Sequence, residues 1–387
     1  MSGQEYPGLE SFDATMIRLL DKWSIPGGAL AVSRHGHLLL CRGYGYADRD
    51  KREQVTPDSL FRLASLSKAI TSAAILKLVD NKVLSLDQKV LPILGNLVPN
   101  QSSIVDGRIR FITIRQLLHH TGGFDSSVSG DPMFMPRAAV LAQLSHSPMP
   151  ADKYAIIAGV LQQPLDHDPG STYSYSNVGF NILGRVIEKA SGMPYEDFIR
   201  KNLFAQIGVS MFQGQTLKPH RQEVHYYDFP GAGLAEAEPG LATGRVAWPY
   251  GGFYLEAMDS HGAWISSVPQ YLRFWLALFG GRGKPLLSPS SKALLCERPA
   301  DISSNKPVYY GCGIQVRVLD NGGLNCWHTG SLSGTTTLAV HAANGLDWVV
   351  AFNSRPRDRN GFERELDDSI WQALRSVKQW PEGDLWN

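Results

Sequence analysis

Apolar positions along the chain alternate between helical and strand-like spacing. In residues 9–23, Leu9, Phe12, Met16, Leu19 and Leu20 share one stripe, which predicts an amphipathic helix. Pro26-Gly27-Gly28 stops it. Two apolar, β-rich runs then flank Arg34-His35-Gly36-His37, the pattern of a hairpin. Residues 65–79 (SLSKAITSAAILKLV) are apolar on every side and free of Gly and Pro, which predicts a buried helix. Further on, helical stretches at 113–119, 137–145, 152–163 and 178–191 alternate with Pro- and Gly-rich loops. Residues 215–262 are aromatic, Gly- and Pro-rich, suited either to lining a pocket or to packing over a core. Beyond them GCGIQVRVL, LNCWHTG, TTTLAVHA and DWVVAFN read as consecutive strands, and 362–377 as a closing helix.

Strand patterns therefore sit near both ends, with a helical block between. That order predicts an α/β domain built from 1–90 and 240–387, interrupted by a mostly helical domain over 91–239. At 387 residues the chain is long enough for two such units. With 43% hydrophobic and 19% charged residues, the composition excludes disordered and collagen-like classes. The net charge of +1, without a block of one sign, predicts neither a nucleic-acid nor a membrane surface, and favours a small-molecule partner. The N-terminal sequence lacks a secretory pattern and no apolar run is long enough to span a bilayer, so the expected location is cytoplasmic. The four cysteines form no C-x-x-C pair and are expected to be reduced, mostly buried thiols. No cofactor is expected. His35/His37 and His119/His120 lack the spacing of a metal site, so none is predicted.

Three short elements carry chemistry. Ser65-Leu66-Ser67-Lys68 opens the buried helix. Residues three apart share a helix face, so Lys68 can reach the Ser65 hydroxyl. Burial at the head of that helix lowers an ammonium pKa toward that of a useful base, and the helix N-terminus favours an oxyanion. The plainer reading is a capping serine beside a snorkelling lysine. A second S-x-x-K, Ser303 to Lys306, runs into Pro307 and reads as a surface loop. Tyr175-Ser176-Asn177 precedes the helix at 178–191. A tyrosine near an ammonium group loses its proton more readily and can act as a base, or Tyr175 is an ordinary buried phenol. Asn177 either caps the helix or donates to a substrate carbonyl. His328-Thr329-Gly330 lies on a strand-like run before Ser331. There the Ser331 N–H can join that of Ser65 as an oxyanion donor, and Gly330 permits close approach. A second H-T-G at His120 ends a helical run and reads as a helix stop. The G-x-S-x-G elbow of α/β-hydrolases is absent.

Together S65LSK, Y175SN and H328TG, with LLHHTGG (117–123), PGSTYSYSNVGFNILGRVIEKASG (169–192) and GAWISSVPQYLRF (262–274), resemble the serine β-lactamase-like, penicillin-recognising hydrolases. The branch most resembled is that of class C β-lactamases and family VIII carboxylesterases, over nearly the whole chain. The resemblance implies a β-lactamase/transpeptidase-like α/β (α+β) fold: a central antiparallel sheet flanked by helices, a helical domain, and a site in the cleft between. It implies Ser65 as nucleophile, Lys68 and Tyr175 as the base system, and Asn177 and His328 as lining residues. The N–H groups of Ser65 and Ser331 would form the oxyanion hole. Class C β-lactamases carry Lys-Thr-Gly at the third motif, and His328 replaces that lysine. A largely neutral imidazole is a weaker anchor for a substrate carboxylate. The expected activity is therefore a carboxylesterase acting through an acyl-enzyme on small-molecule esters. The alternative is a D-amino-acid peptidase, amidase or weak β-lactamase using the same residues.

Overall fold

The computed structural model describes residues 1–95, 104–300 and 306–386. Eight strands form the main path of a sheet: β1 (Ser2–Glu5), β2 (Gly27–Arg34), β3 (His37–Asp48), β4 (Val308–Tyr310), β5 (Gln315–Val318), β6 (Leu324–Leu332), β7 (Thr335–His341) and β8 (Leu346–Phe352). Their order is β1-β3-β2-β8-β7-β6-β5-β4, with Glu53–Gln54 added against β3. Every pairing in the sheet is antiparallel. The central β2–β8 pair, running from Leu346 opposite Arg34 to Phe352 opposite Gly28, joins the N-terminal and C-terminal parts of the chain. The family expected from the motifs therefore shows its antiparallel sheet.

Alternation sends successive side chains to opposite faces. Leu30, Val32, Trp348 and Val350 pack under α1 (Glu10–Trp23) and α5 (Arg359–Ser376) in one core. Ala29, Ala31, Val349 and Ala351 face the second core, which holds α2 (Ser67–Asp80), α4 (Val268–Phe279) and the helices between residues 90 and 210. The small alanines let α4 approach the sheet closely. The hairpin expected at 34–37 is present, and His35 (φ 50°) and Gly36 (φ 81°) supply the two left-handed residues of its tight turn.

The helix expected from 65 begins later. Ser65 lies in a 3₁₀ turn, Ala64–Leu66, and α2 starts at Ser67. Ala64 has φ 49°, a left-handed value that costs a non-glycine residue of order 1–3 kcal/mol. Tertiary hydrogen bonds offset that strain. Thr335 and Thr337 of β7 donate to the carbonyls of Arg62 and Leu63 (3.0 and 2.9 Å). The Tyr271 hydroxyl of α4 donates to the Leu66 carbonyl (2.9 Å). Leu63 N–H donates to Trp264 (2.8 Å). The Ser65 turn is thus pinned from three sides. α2 itself is buried nearly all round, as its composition requires, with Ile70, Ile75 and Leu76 at 0% exposure.

β1, the short strands Phe61–Arg62 and Trp264–Ser266, and the 3₁₀ turns of the aromatic segment escaped the sequence pattern because none is long enough to show a period. All four cysteines are unpaired, with Cys296 and Cys326 sulfurs 3.8 Å apart. Ser303, Ser304 and Asn305 of the second S-x-x-K lie outside the described residues. Among the described residues, no helix is long and apolar enough to cross a membrane.

Candidate active site

The three motifs converge. Ser65, Tyr175, Asn177, His328 and Ser331 line one cleft of about 340 Å³, with Lys68 buried behind Ser65. Lys68 Nζ donates to Ser65 Oγ (3.0 Å), Asn177 Oδ1 (2.8 Å) and the His261 carbonyl (3.3 Å). Three acceptors match the three donors of an ammonium group. It also sits 4.7 Å from the Tyr175 ring centroid. Burial pulls the Lys68 pKa from 10.5 to about 7, and the nearby Asp131 carboxylate opposes that fall. Lys68 is therefore available as a neutral amine near neutral pH, hydrogen-bonded to a serine hydroxyl.

Asn177 is the link between the two charges. It accepts from Lys68 and donates through Nδ2 to Asp131 Oδ2 (2.8 Å). The capping role considered for it belongs to Ser176 instead, whose hydroxyl accepts from Gly179 N–H (3.2 Å) at the head of α3 (Asn177–Ser191). That cap frees the Asn177 side chain to point at Lys68. Tyr175 reaches Ser65 with its hydroxyl. Burial pushes its pKa up, and the Ser65 hydrogen bond only partly opposes this. Of the two readings of Tyr175, burial favours the protonated phenol, and Lys68 is the stronger candidate to accept the Ser65 proton.

On the opposite wall, Gly330 of β6 lies against the Ser65 turn. A methyl group there would overlap the Leu63 carbonyl and the Thr337 hydroxyl, and would come within 3.2 Å of Ser65 N. Only glycine brings the strand this near the Ser65 backbone, and Ser331 follows it at the cleft. His328 is 3% exposed, and burial with the Lys68 charge takes its pKa down to about 3.

Other residues of this cleft or its wall lie outside the three motifs. Asp131 and Tyr310 come from short loop and edge-strand segments, and Arg355 and Arg359 enter from the approach to α5. His120, read as part of a helix stop, does follow a short helix (Ile114–Leu118), but in the left-handed conformation (φ 58°). Its Nδ1 accepts from Ser176 N–H (3.1 Å), and its ring packs 4.3 Å from Tyr175 and 4.5 Å from Tyr310. The second H-T-G therefore shapes the wall behind Tyr175. The sequence signals for His120 are the repeated H-T-G and its place in the LLHHTGG segment.

A fold of this topology carrying a serine, lysine and tyrosine at one cleft defines a class, the serine β-lactamase-like proteins. The family described as Beta-lactamase matches residues 12–372, and the chain belongs to that family. Protein flp of Staphylococcus aureus (strain NCTC 8325 / PS 47) is 29% identical over 190 residues, covering 49% of this chain and 35% of flp. Esterase EstB of Burkholderia gladioli is 30% identical over 217 residues, covering 56% of this chain and 54% of EstB. The chain thus spans about half or less of these relatives' lengths. Among solved structures, the D-amino acid amidase of Ochrobactrum anthropi SV3 superposes with a TM-score of 0.73 at 19% identity, over 96% of this chain and 99% of the amidase.

Proposed function

We propose that the protein is a carboxylesterase of the family VIII kind that works through an acyl-enzyme on Ser65. The observation that carries this reading is a buried lysine, with pKa near 7, hydrogen-bonded to a serine hydroxyl at an accessible cleft. Neutral Lys68 takes the Ser65 proton as Oγ attacks the ester carbonyl. The N–H groups of Ser65 and Ser331 hold the oxyanion. As the C–O bond breaks, the alcohol leaves with a proton passed back from Lys68 through Tyr175. Water, deprotonated by the same pair, then cleaves the acyl-enzyme and restores Ser65. Asn177 and His328 line the substrate's path.

The uncharged third-motif residue, His328, supports a neutral substrate over a carboxylate-bearing β-lactam, and the likeness to EstB supports an ester over an amide. A small neutral ester as partner and a cytoplasmic setting belong to this reading, as does a cleft between an α/β unit (1–90 and 240–387) and a helical unit (91–239). Hydrolysis of p-nitrophenyl butyrate by wild type and Ser65→Ala tests it. Turnover that vanishes in the mutant is the expected result, and turnover that survives overturns Ser65 as nucleophile. A folded wild type that cleaves D-alanyl amides and no ester would replace the esterase with a D-amino-acid amidase on the same residues.

A further inference from the structure

His328 has both ring nitrogens engaged. Nδ1 lies 2.5 Å from the Thr329 carbonyl, and Nε2 lies 2.8 Å from the Tyr310 hydroxyl. A carbonyl only accepts, so Nδ1 carries a proton. If the ring is neutral, Nε2 has only a lone pair, and the Tyr310 hydroxyl must donate to it. The surroundings decide for the neutral ring. Lys68 of α2, Arg359 of α5, Tyr175 and His120 from the helical side, and Tyr310 of β4 face it. None of these five is a carboxylate, and the ring is buried at 3% exposure.

The reach of Tyr310 is set by the sheet. Tyr310 ends β4, which is separated from β6 by β5 alone, and its hydroxyl reaches across to His328. Tyr310 is itself 4% exposed, and its ring is braced 4.5 Å from His120. The phenol is therefore a fixed donor.

We propose that Tyr310 is a specificity-determining positioning residue, which locks His328 as a single neutral tautomer with no N–H or lone pair free for substrate. At this end of the cleft a substrate group then meets an uncharged ring already satisfied in its hydrogen bonds. A carboxylate placed there gains no partner from His328 and has only the Arg355 and Arg359 guanidinium groups of the same cleft to turn to. A neutral ester needs no such partner. This deepens the esterase reading and rests on it for the substrate, while the tautomer itself is independent of activity.

Two measurements test it. The first uses ¹⁵N-histidine-labelled wild type, with His328 assigned by its absence in His328→Gln. The expected spectrum shows Nδ1 protonated and Nε2 unprotonated, without titration from about pH 5.5 to about pH 8. A proton on Nε2, or a midpoint inside that range, overturns the lock. The second compares Tyr310→Phe with wild type on 4-nitrophenyl hexanoate and 4-nitrophenyl hydrogen adipate, which differ by one terminal carboxylate. Losing one hydrogen bond to the neutral ring is expected to raise the ratio of kcat/KM for the anionic over the neutral ester roughly 3- to 10-fold. It is also expected to raise the His328 midpoint. An unchanged ratio in a folded variant overturns the specificity role. If wild type cleaves neither ester, the esterase reading fails while the spectrum still decides the tautomer. If Tyr310→Phe does not fold, the wild-type spectrum alone remains decisive.

Discussion

Two buried nitrogen bases face each other across the cleft, and burial has opposite consequences for them. Lys68 starts high, and desolvation brings it to about 7, where it can exchange a proton at neutral pH. His328 starts at 6.5, and the same effect takes it to about 3, where it no longer titrates in the working range. Lys68 also differs in its partners: three acceptors and the Asp131 carboxylate behind Asn177 favour its charged form. Around His328 stand two phenols, a second imidazole and two cations. One physical effect thus makes one base reactive and the other inert. A pKa argument in this family has to begin from the ordinary value of the group and from its partners.

The comparison can be broken most completely at Ser65. Ser65→Ala is expected to lose at least about 10³-fold in ester kcat/KM. Lys68→Met should fall by about 10²- to 10⁴-fold, and the ascending limb near pH 7 in the wild-type profile should vanish with it. Stability gives a second view of the same lysine. Its folded-state pKa lies below its unfolded value, so the unfolded chain binds more protons between about 7 and 10.5. Wild-type stability therefore gains from this group as pH rises through that window, and below 7 the full cost of charging a buried amine is present. Relative to wild type, Lys68→Met should be most favoured near pH 6 and progressively less so toward pH 10 in denaturant unfolding. A difference independent of pH would refute the depressed pKa.

Gly330→Ala tests the closeness of the two walls. The overlap with Leu63 and Thr337 predicts a stability loss of about 1–3 kcal/mol and up to about 10²-fold in turnover. Ester kinetics and thermal unfolding of this variant check it; wild-type behaviour in both would mean that the strand does not hold the Ser65 turn. The smallest effect is expected from Asp131→Asn. It keeps the contact with Asn177 and removes the charge that supports the Lys68 ammonium, so the ascending limb of kcat/KM should move to lower pH. A move to higher pH contradicts the assignment of that limb to Lys68.

The elements that were legible in the sequence are those with long periods or reactive residues. α1, α2, α3 and the run β5–β8 follow from apolar spacing, and Ser65, Lys68, Tyr175, Asn177 and His328 from three motifs, all of which reach one site. The missed features share a cause. Asp131, Tyr310, Arg355 and Arg359 act through places fixed by tertiary pairing, such as the two-strand offset from Tyr310 to His328, and no local spacing encodes that. The start of α2 was misplaced for a related reason. Propensity alone favours a helix through Ser65, and hydrogen bonds from residues about 200 to 270 positions away impose the strained turn instead. Tyr175 shows the converse: the burial that raises its pKa comes from tertiary packing and leaves no signature in the local sequence.

The clamp on the Ser65 turn also bears on the order of folding. Its donors on α4 and β7 lie in the C-terminal third of the chain, and β7 joins β2 only through β8. Contacts of such separation close late, after local helices and hairpins. During refolding, helical signal should therefore recover first, and competence to acylate Ser65 should return only when the two halves of the sheet have met. A nascent chain lacking its last 60 residues would hold Ser65, Lys68 and Tyr175 without the strand that shapes the Ser65 turn.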